Sequence, residues 1–282
     1  MIYSMDGVKV AVGVRRSWAG RVWGRVGRRA DGRAPLWIEL AIVAWLFWLY
    51  DVINDFAPVR RALAFADARG VLHFERALGI NPELSINHWL AAHATIALIA
   101  SYDYFFAHAV VTFAVLVLLW WRLPGRYVRL RTLLVIINLI AFVVFWRYPL
   151  APPRLFPGLG YIDVIARAHA LVSWHSGALV HDADQFAAMP SLHVAWAIWS
   201  AIGVWTLTRR AVIRTIALAY PVLTCFVVLG TGNHYLLDVL AGAGTVALAF
   251  AVQLAFVRVL ARRRRTVPAP HDHAVRGVPA QP

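Results

Sequence analysis

Long stretches without a formal charge constrain this chain more than any other feature. Tyr104 to Trp121 carries none, nor does Thr132 to Trp146, which is bracketed by Arg131 and Arg147. Gln185 to Thr208, with its span after Pro190, Thr215 to Leu237 and Val239 to Val257 are equally bare. Leu36 to Tyr50 is interrupted once, by Glu39. Crossing the hydrocarbon of a bilayer takes about 20 residues of helix, and each run reaches that length once its ends are extended. The apolar residues follow no one-sided helical stripe, as a helix on a soluble core would. With 61% hydrophobic residues, against roughly 45–50% in a soluble domain, the composition excludes a soluble enzyme, a disordered chain and a disulfide scaffold. The single Cys225 cannot close an internal disulfide.

The basic residues set the topology. The chain carries 28 Lys+Arg against 14 Asp+Glu, but they gather at the ends of apolar runs, so nucleic acid is not the expected partner. Arg15 to Arg33, Arg122 to Arg131, Arg209 to Arg214 and Arg258 to Arg265 form four clusters. The positive-inside rule assigns all four to the cytoplasm, and six spans satisfy it. The stretch Leu84 to Tyr102 is uncharged but holds Asn87, His88 and His93. It is expected in the outer interface, with a seventh span as the alternative. The fold class is therefore an all-α polytopic membrane bundle. Residues 1–34 are a basic cytoplasmic tail without a signal peptide, 35–262 the transmembrane domain, and 263–282 a Pro-rich flexible tail.

Under six spans, three polar groups fall on the extracytoplasmic side. The first is Arg147-Tyr-Pro-Leu-Ala-Pro-Pro-Arg154, two arginines seven apart across a proline-stiffened turn. The guanidinium fork suits phosphate oxygens, and snorkelling at the interface is the competing reading. The second is Met189-Pro190-Ser191-Leu-His193. Pro190 suits a first helical turn, so Ser191 and His193 fall at a helix N-terminus, where free N–H groups attract an anion. The third is Asn233-His234-Tyr-Leu-Leu-Asp238. Four residues apart on a helix, His234 and Asp238 share a face; the carboxylate can hold one ring N–H and leave the other nitrogen as nucleophile or base. A carboxylate facing lipid would be costly. A metal on these two residues would need further ligands such as His175 and His181, and the pair His271 and His273 in the tail carries little metal signal.

Together these elements resemble the type 2 phosphatidic acid phosphatase superfamily, whose three motifs are Lys-x6-Arg-Pro, Pro-Ser-x-His and Ser-Arg-x5-His-x3-Asp. Arg147 stands at the lysine position and Arg154 at the arginine, with Leu155 in place of proline. Pro190, Ser191 and His193 match the second motif in full, and His234 and Asp238 match the end of the third. Val227 and Val228 replace its Ser-Arg, leaving Asn233 or the backbone of Thr231–Gly232 to compensate for the arginine. The turns Ala-Pro-Pro-Arg and Gly-Asn-His-Tyr-Leu-Leu-Asp look like the inositolphosphotransferase branch, which includes inositol phosphorylceramide synthases.

The resemblance, which spans roughly Leu36 to Arg262, implies a covalent mechanism. His234 attacks a lipid phosphate ester, Asp238 orients it, and His193 protonates the leaving oxygen and then activates water or an alcohol such as inositol or a sugar. Arg147, Arg154, Ser191 and Asn233 hold the phosphate oxygens, and no metal or cofactor is required. Tyr104 and His108 are expected to shape a head-group pocket. Water and alcohol remain alternative acceptors, and a non-catalytic or transporter-like membrane protein is the competing class.

Overall fold

The computed structural model describes residues 33–56, 60–156, 158–168 and 186–266. The N-terminal basic tail before Arg33, His175, His181, His271 and His273 lie outside them.

Among the described residues the chain is helical throughout. The order is α1 (Leu36–Phe56), α2 (Arg61–Ala77), α3 (Glu83–Ala92), α4 (Ala94–Arg122), α5 (Pro124–Arg147), α6 (Val164–Arg167), α7 (Leu192–Leu207), α8 (Ala211–Gly230) and α9 (Leu236–Thr266). A single bridge, Leu150 to Ala187, joins two loops. Five helices, α1, α4, α5, α8 and α9, are long and apolar enough to cross a membrane. The expected span after Pro190 is α7, which is shorter at 16 residues.

Central α7 packs against α8, α4, α9 and α5. It has no polar face because it is enclosed: Trp199, Ala195 and Ala197 are fully buried. Trp199 donates its indole N–H to the Leu130 carbonyl at 2.9 Å, satisfying its one polar atom inside the core. The outward faces carry Leu and Val instead, including Val110, Val212 and Val222. That pattern suits a lipid solvent rather than water.

One boundary differs from the sequence expectation. The uncharged stretch Leu84 to Tyr102 is not one unit. It breaks at His93 (φ −113°, ψ 80°), and its second half continues through a π-helical turn at Asp103–Ala107 into the next span. α4 therefore begins ten residues before Tyr104. At the other end α9 stays helical to Thr266.

Amphipathic α2 lies outside the five long apolar helices. Its stripe Ala64, Ala68, Leu72 is buried, following the i, i+4 geometry of a helix face. Glu75 continues that stripe and is completely buried. It meets the start of α9, where the polar groups converge.

Candidate functional site

The start of α9 explains how His234 is held. A helix N-terminus leaves backbone N–H groups without partners, and here three carboxylates take them. Glu83 accepts from Leu236 N at 2.8 Å, Glu75 from Leu237 N at 2.7 Å, and Asp238 from Tyr235 N at 2.9 Å. Asp238 is the third residue of the helix and reaches back to the residue before it, one half of a capping box. The helix dipole favours negative charge at this end. Glu75 and Glu83 come from α2 and α3, so three segments far apart in sequence meet on one helical turn.

Asp238 serves two purposes with one oxygen. Its Oδ2 also lies 3.3 Å from Nδ1 of His234. His234 stands two residues before α9 begins, so the pair is not stacked along a helix face as the spacing suggests. Instead, the carboxylate in the first turn folds back over the preceding loop. Donation from Nδ1–H leaves Nε2 with its lone pair, and the Ser191 hydroxyl is 3.4 Å from it. The helix starts after Pro190 as well: Ser191 is the N-cap of α7 and Leu192 its first helical residue. Pro190 thus precedes the cap rather than occupying the first turn. Ser191 N also donates to the Asp238 carbonyl at 3.0 Å, tying the two helix starts together.

His193 is in the first turn of α7. Its Nε2 donates to the Tyr104 carbonyl at 3.1 Å, and its ring stacks on Tyr104 at 4.3 Å. The His108 ring is also 4.3 Å away, and the His234 ring 6.0 Å. The π turn places Tyr104 and His108 on the cavity side of α4, and His108 Nδ1 donates to the Tyr104 carbonyl at 3.0 Å.

Arg154 enters from a short 3₁₀ turn, Pro153–Leu155. Its Nε donates to Asn233 Oδ1 at 2.9 Å, and its backbone N donates to the Gly232 carbonyl at 2.9 Å. Gly232 has φ +75°, and a β-carbon there would lie 3.3 Å from Cβ of Arg154; glycine meets both demands. Asn87 closes this loop from behind, donating to the carbonyls of Gly230 and Ile162 at 2.9 and 2.8 Å. Among the described residues, buried Nη1 of Arg154 has no hydrogen-bond partner, nor does Nε1 of Trp196. Both residues line a cavity of about 500 Å³ that includes His193 and His234. Unpaired buried donors are costly, so two of them on residues lining one cavity are consistent with an anion as ligand.

Two expected phosphate ligands are differently employed. Arg147 ends α5, is exposed and does not line the cavity. Beyond it the chain turns at Pro149 and buries Leu150 and Ala151, which brings Arg154 inward and leaves Arg147 at the helix end. Asn233 lines the cavity, but its Nδ2 donates to Thr231 Oγ1 at 3.0 Å and its oxygen holds Arg154, so it positions the arginine. Val228, at the missing arginine, is fully buried with Val194, Leu229 and Val239; core packing occupies that position.

Glu75, Glu83 and the bonding of Asn87 belong to none of the three sequence motifs. The available signal was a lone carboxylate continuing the Ala64–Ala68–Leu72 stripe. Glu75 lies outside the membrane-spanning segments, and its pKa is pushed up to about 8, first by burial, with the Glu83 and Asp238 carboxyls adding to the rise and the Leu237 N–H opposing it. Among the described residues no group of three His, Cys, Asp or Glu could hold a metal ion.

A model of the PAP2 superfamily matches residues 69–252 of the chain. No curated protein and no solved structure matches it.

Proposed function

The chain belongs to the PAP2 superfamily, and from that premise we propose that it cleaves a lipid phosphate ester through a phosphohistidine at His234. The observation that carries this reading is that His234, held through Nδ1 by Asp238, lines the same cavity as Arg154, whose Nη1 has no partner among the described residues.

In the first step Nε2 of His234 attacks phosphorus and the ester P–O bond breaks. His193 gives a proton to the departing oxygen. With Nε2 donating to the Tyr104 carbonyl, Nδ1 is the ring nitrogen left for that transfer. In the second step His193 takes a proton from water or an alcohol, whose oxygen attacks phosphorus and breaks the P–N bond. Asp238 stabilises the charged His234 ring. Arg154, Ser191 and the N–H groups at the start of α7 supply the positive field for the phosphoryl oxygens, so the reading requires no metal. Six spans, with this site on the extracytoplasmic face, follow from the positions of the basic clusters.

The acceptor divides the reading in two. The Ala-Pro-Pro-Arg turn supports transfer to an alcohol such as inositol or a sugar, as in the inositolphosphotransferase branch, whereas superfamily membership is equally consistent with hydrolysis. The test is a paired assay on purified protein in lipid bilayers, with a panel of lipid phosphates, following phosphate release and head-group transfer. Release without an added alcohol, lost in His234→Ala, supports a phosphatase; product only with an acceptor supports a transferase. Activity that persists in His234→Ala overturns the mechanism.

A further inference from the structure

The cavity does not end at the phosphate site. Along α5 its wall runs from Phe145, near the catalytic end, to Arg131, about 21 Å at ~1.5 Å per residue. Along α1 it runs in the same sense from Tyr50 to Glu39. That depth exceeds half of the ~30 Å hydrocarbon core, which is the reach of a chain lying in one leaflet. Between the ends the lining is mainly apolar, with Ile42 and Leu46 from α1, Leu116 from α4, Leu134 and Phe142 from α5; the two polar residues there are bonded within the protein, Thr112 to the Ser200 hydroxyl and Asn138 to the Leu134 carbonyl. α1 forms the wall between this space and the surroundings, because it turns Trp37, Leu40 and Trp48 outward.

The far end is closed by charge. Arg131 Nη1 lies 2.7 Å from Glu39 Oε1, and the Tyr127 hydroxyl donates to Glu39 Oε2 at 2.6 Å. Both Glu39 oxygens are thereby occupied. An apolar chain pushed past this floor would part a buried ion pair and leave each partner uncompensated. α1 and Glu39 fall outside residues 69–252, whereas Arg131, Tyr127 and the α4 and α5 walls lie within them.

We infer that the cavity receives a hydrocarbon chain of the phosphate ester, and that the Glu39–Arg131–Tyr127 floor fixes the longest chain accepted. The inference rests on the proposed lipid phosphate chemistry for its catalytic end. A chain drawn from the bilayer exchanges one apolar surrounding for another, so length is selected by fit: a chain that stops short of the floor is accepted, and one that would pass it is not. The substrate class is a phosphate ester with a chain about one leaflet long.

Two readouts test it on the full chain in bilayers. A hexadecyl phosphate with a photoreactive diazirine at its terminal carbon should label residues at the floor, between Glu39 and Val43 or between Arg131 and Val135. Labelling confined to outward-facing positions such as Val110 or Val117 would overturn the inference, since the chain would then lie in the bilayer. This readout needs no turnover, so it remains decisive if hydrolysis proves independent of His234. The second readout is the ratio of kcat/KM for hexadecyl over octyl phosphate. Leu46→Trp, which fills the cavity midway, should lower that ratio about ten-fold, because only the longer chain meets the added bulk. The pair Glu39→Ala and Arg131→Ala should move the optimum to longer chains, with Val110→Trp as a control on the outer face. An unchanged chain-length profile in both cavity variants would contradict the floor.

Discussion

A β-carbon on Gly242 would lie 2.5 Å from the carbonyl oxygen of Ser191. The two helices that carry the reacting groups therefore touch backbone to backbone, one turn beyond Asp238. This contact, together with the bond from Ser191 N to the Asp238 carbonyl, sets the distance between the Ser191 hydroxyl and His234. Gly242→Ala must push α7 and α9 apart. The expected result is a loss of about 1–3 kcal/mol in stability with a fall in kcat, measured by thermal unfolding and turnover. Gly244→Ala, with open space around its β-carbon, should leave turnover unchanged and raise stability by up to about 1 kcal/mol.

Asp238→Asn tests the shared oxygen. The amide keeps the shape but replaces the charge that selects the Nδ1–H form of His234. Turnover is expected to fall by about 10²- to 10⁴-fold, while the amide oxygen still accepts from the Tyr235 N–H, so the cap is kept. A variant within a few-fold of the parent in kcat would remove Asp238 from the mechanism.

The two arginines of the proline turn should separate. Arg154→Ala removes a buried donor from the cavity and is expected to cost about 10²- to 10³-fold in kcat/KM. Arg147→Ala changes an exposed side chain outside the cavity, and its kcat/KM should stay within a few-fold of the parent. Equal losses would mean that Arg147 reaches the phosphate after all.

Glu75 predicts how stability depends on pH. Its folded-state pKa is raised from 4.5 to about 8, so between these values the folded chain holds a proton that the unfolded chain has released. Its contribution to stability is present below pH 4.5, falls as pH rises, and levels off above about pH 8. Glu83 and Asp238 face it across the start of α9, and Tyr161 lies near enough to feel both glutamates. Glu75→Gln should flatten this slope in thermal unfolding measured from pH 5 to 8 in detergent. An unchanged slope would assign the effect to other groups.

How much of this was legible in the sequence follows from where the information lies. Uncharged runs set the helices, because span length and lipid exposure leave a local mark in composition. His193, His234 and Asp238 stood out because polar residues beside apolar runs are conspicuous. The break at His93 was not legible, since Ala94 to Arg122 continues as one helix through a π turn that has no compositional signature. Nor was the exposure of Arg147: spacing gives two arginines across a turn, but which of them faces inward depends on the burial of Leu150 and Ala151. The carboxyl cluster was least legible. Glu75, Glu83 and Asp238 meet only in three dimensions, and each looks ordinary alone.

The central claim is that His234 becomes covalently phosphorylated. It is tested most directly by incubating the protein in bilayers with a phosphorus-labelled lipid phosphate, quenching rapidly, and locating the label by peptide mapping. The account predicts an acid-labile, base-stable phosphohistidine at His234, absent from His234→Ala and longer-lived in His193→Ala. Turnover of the same lipid without label at His234, or with label on another residue, would contradict it.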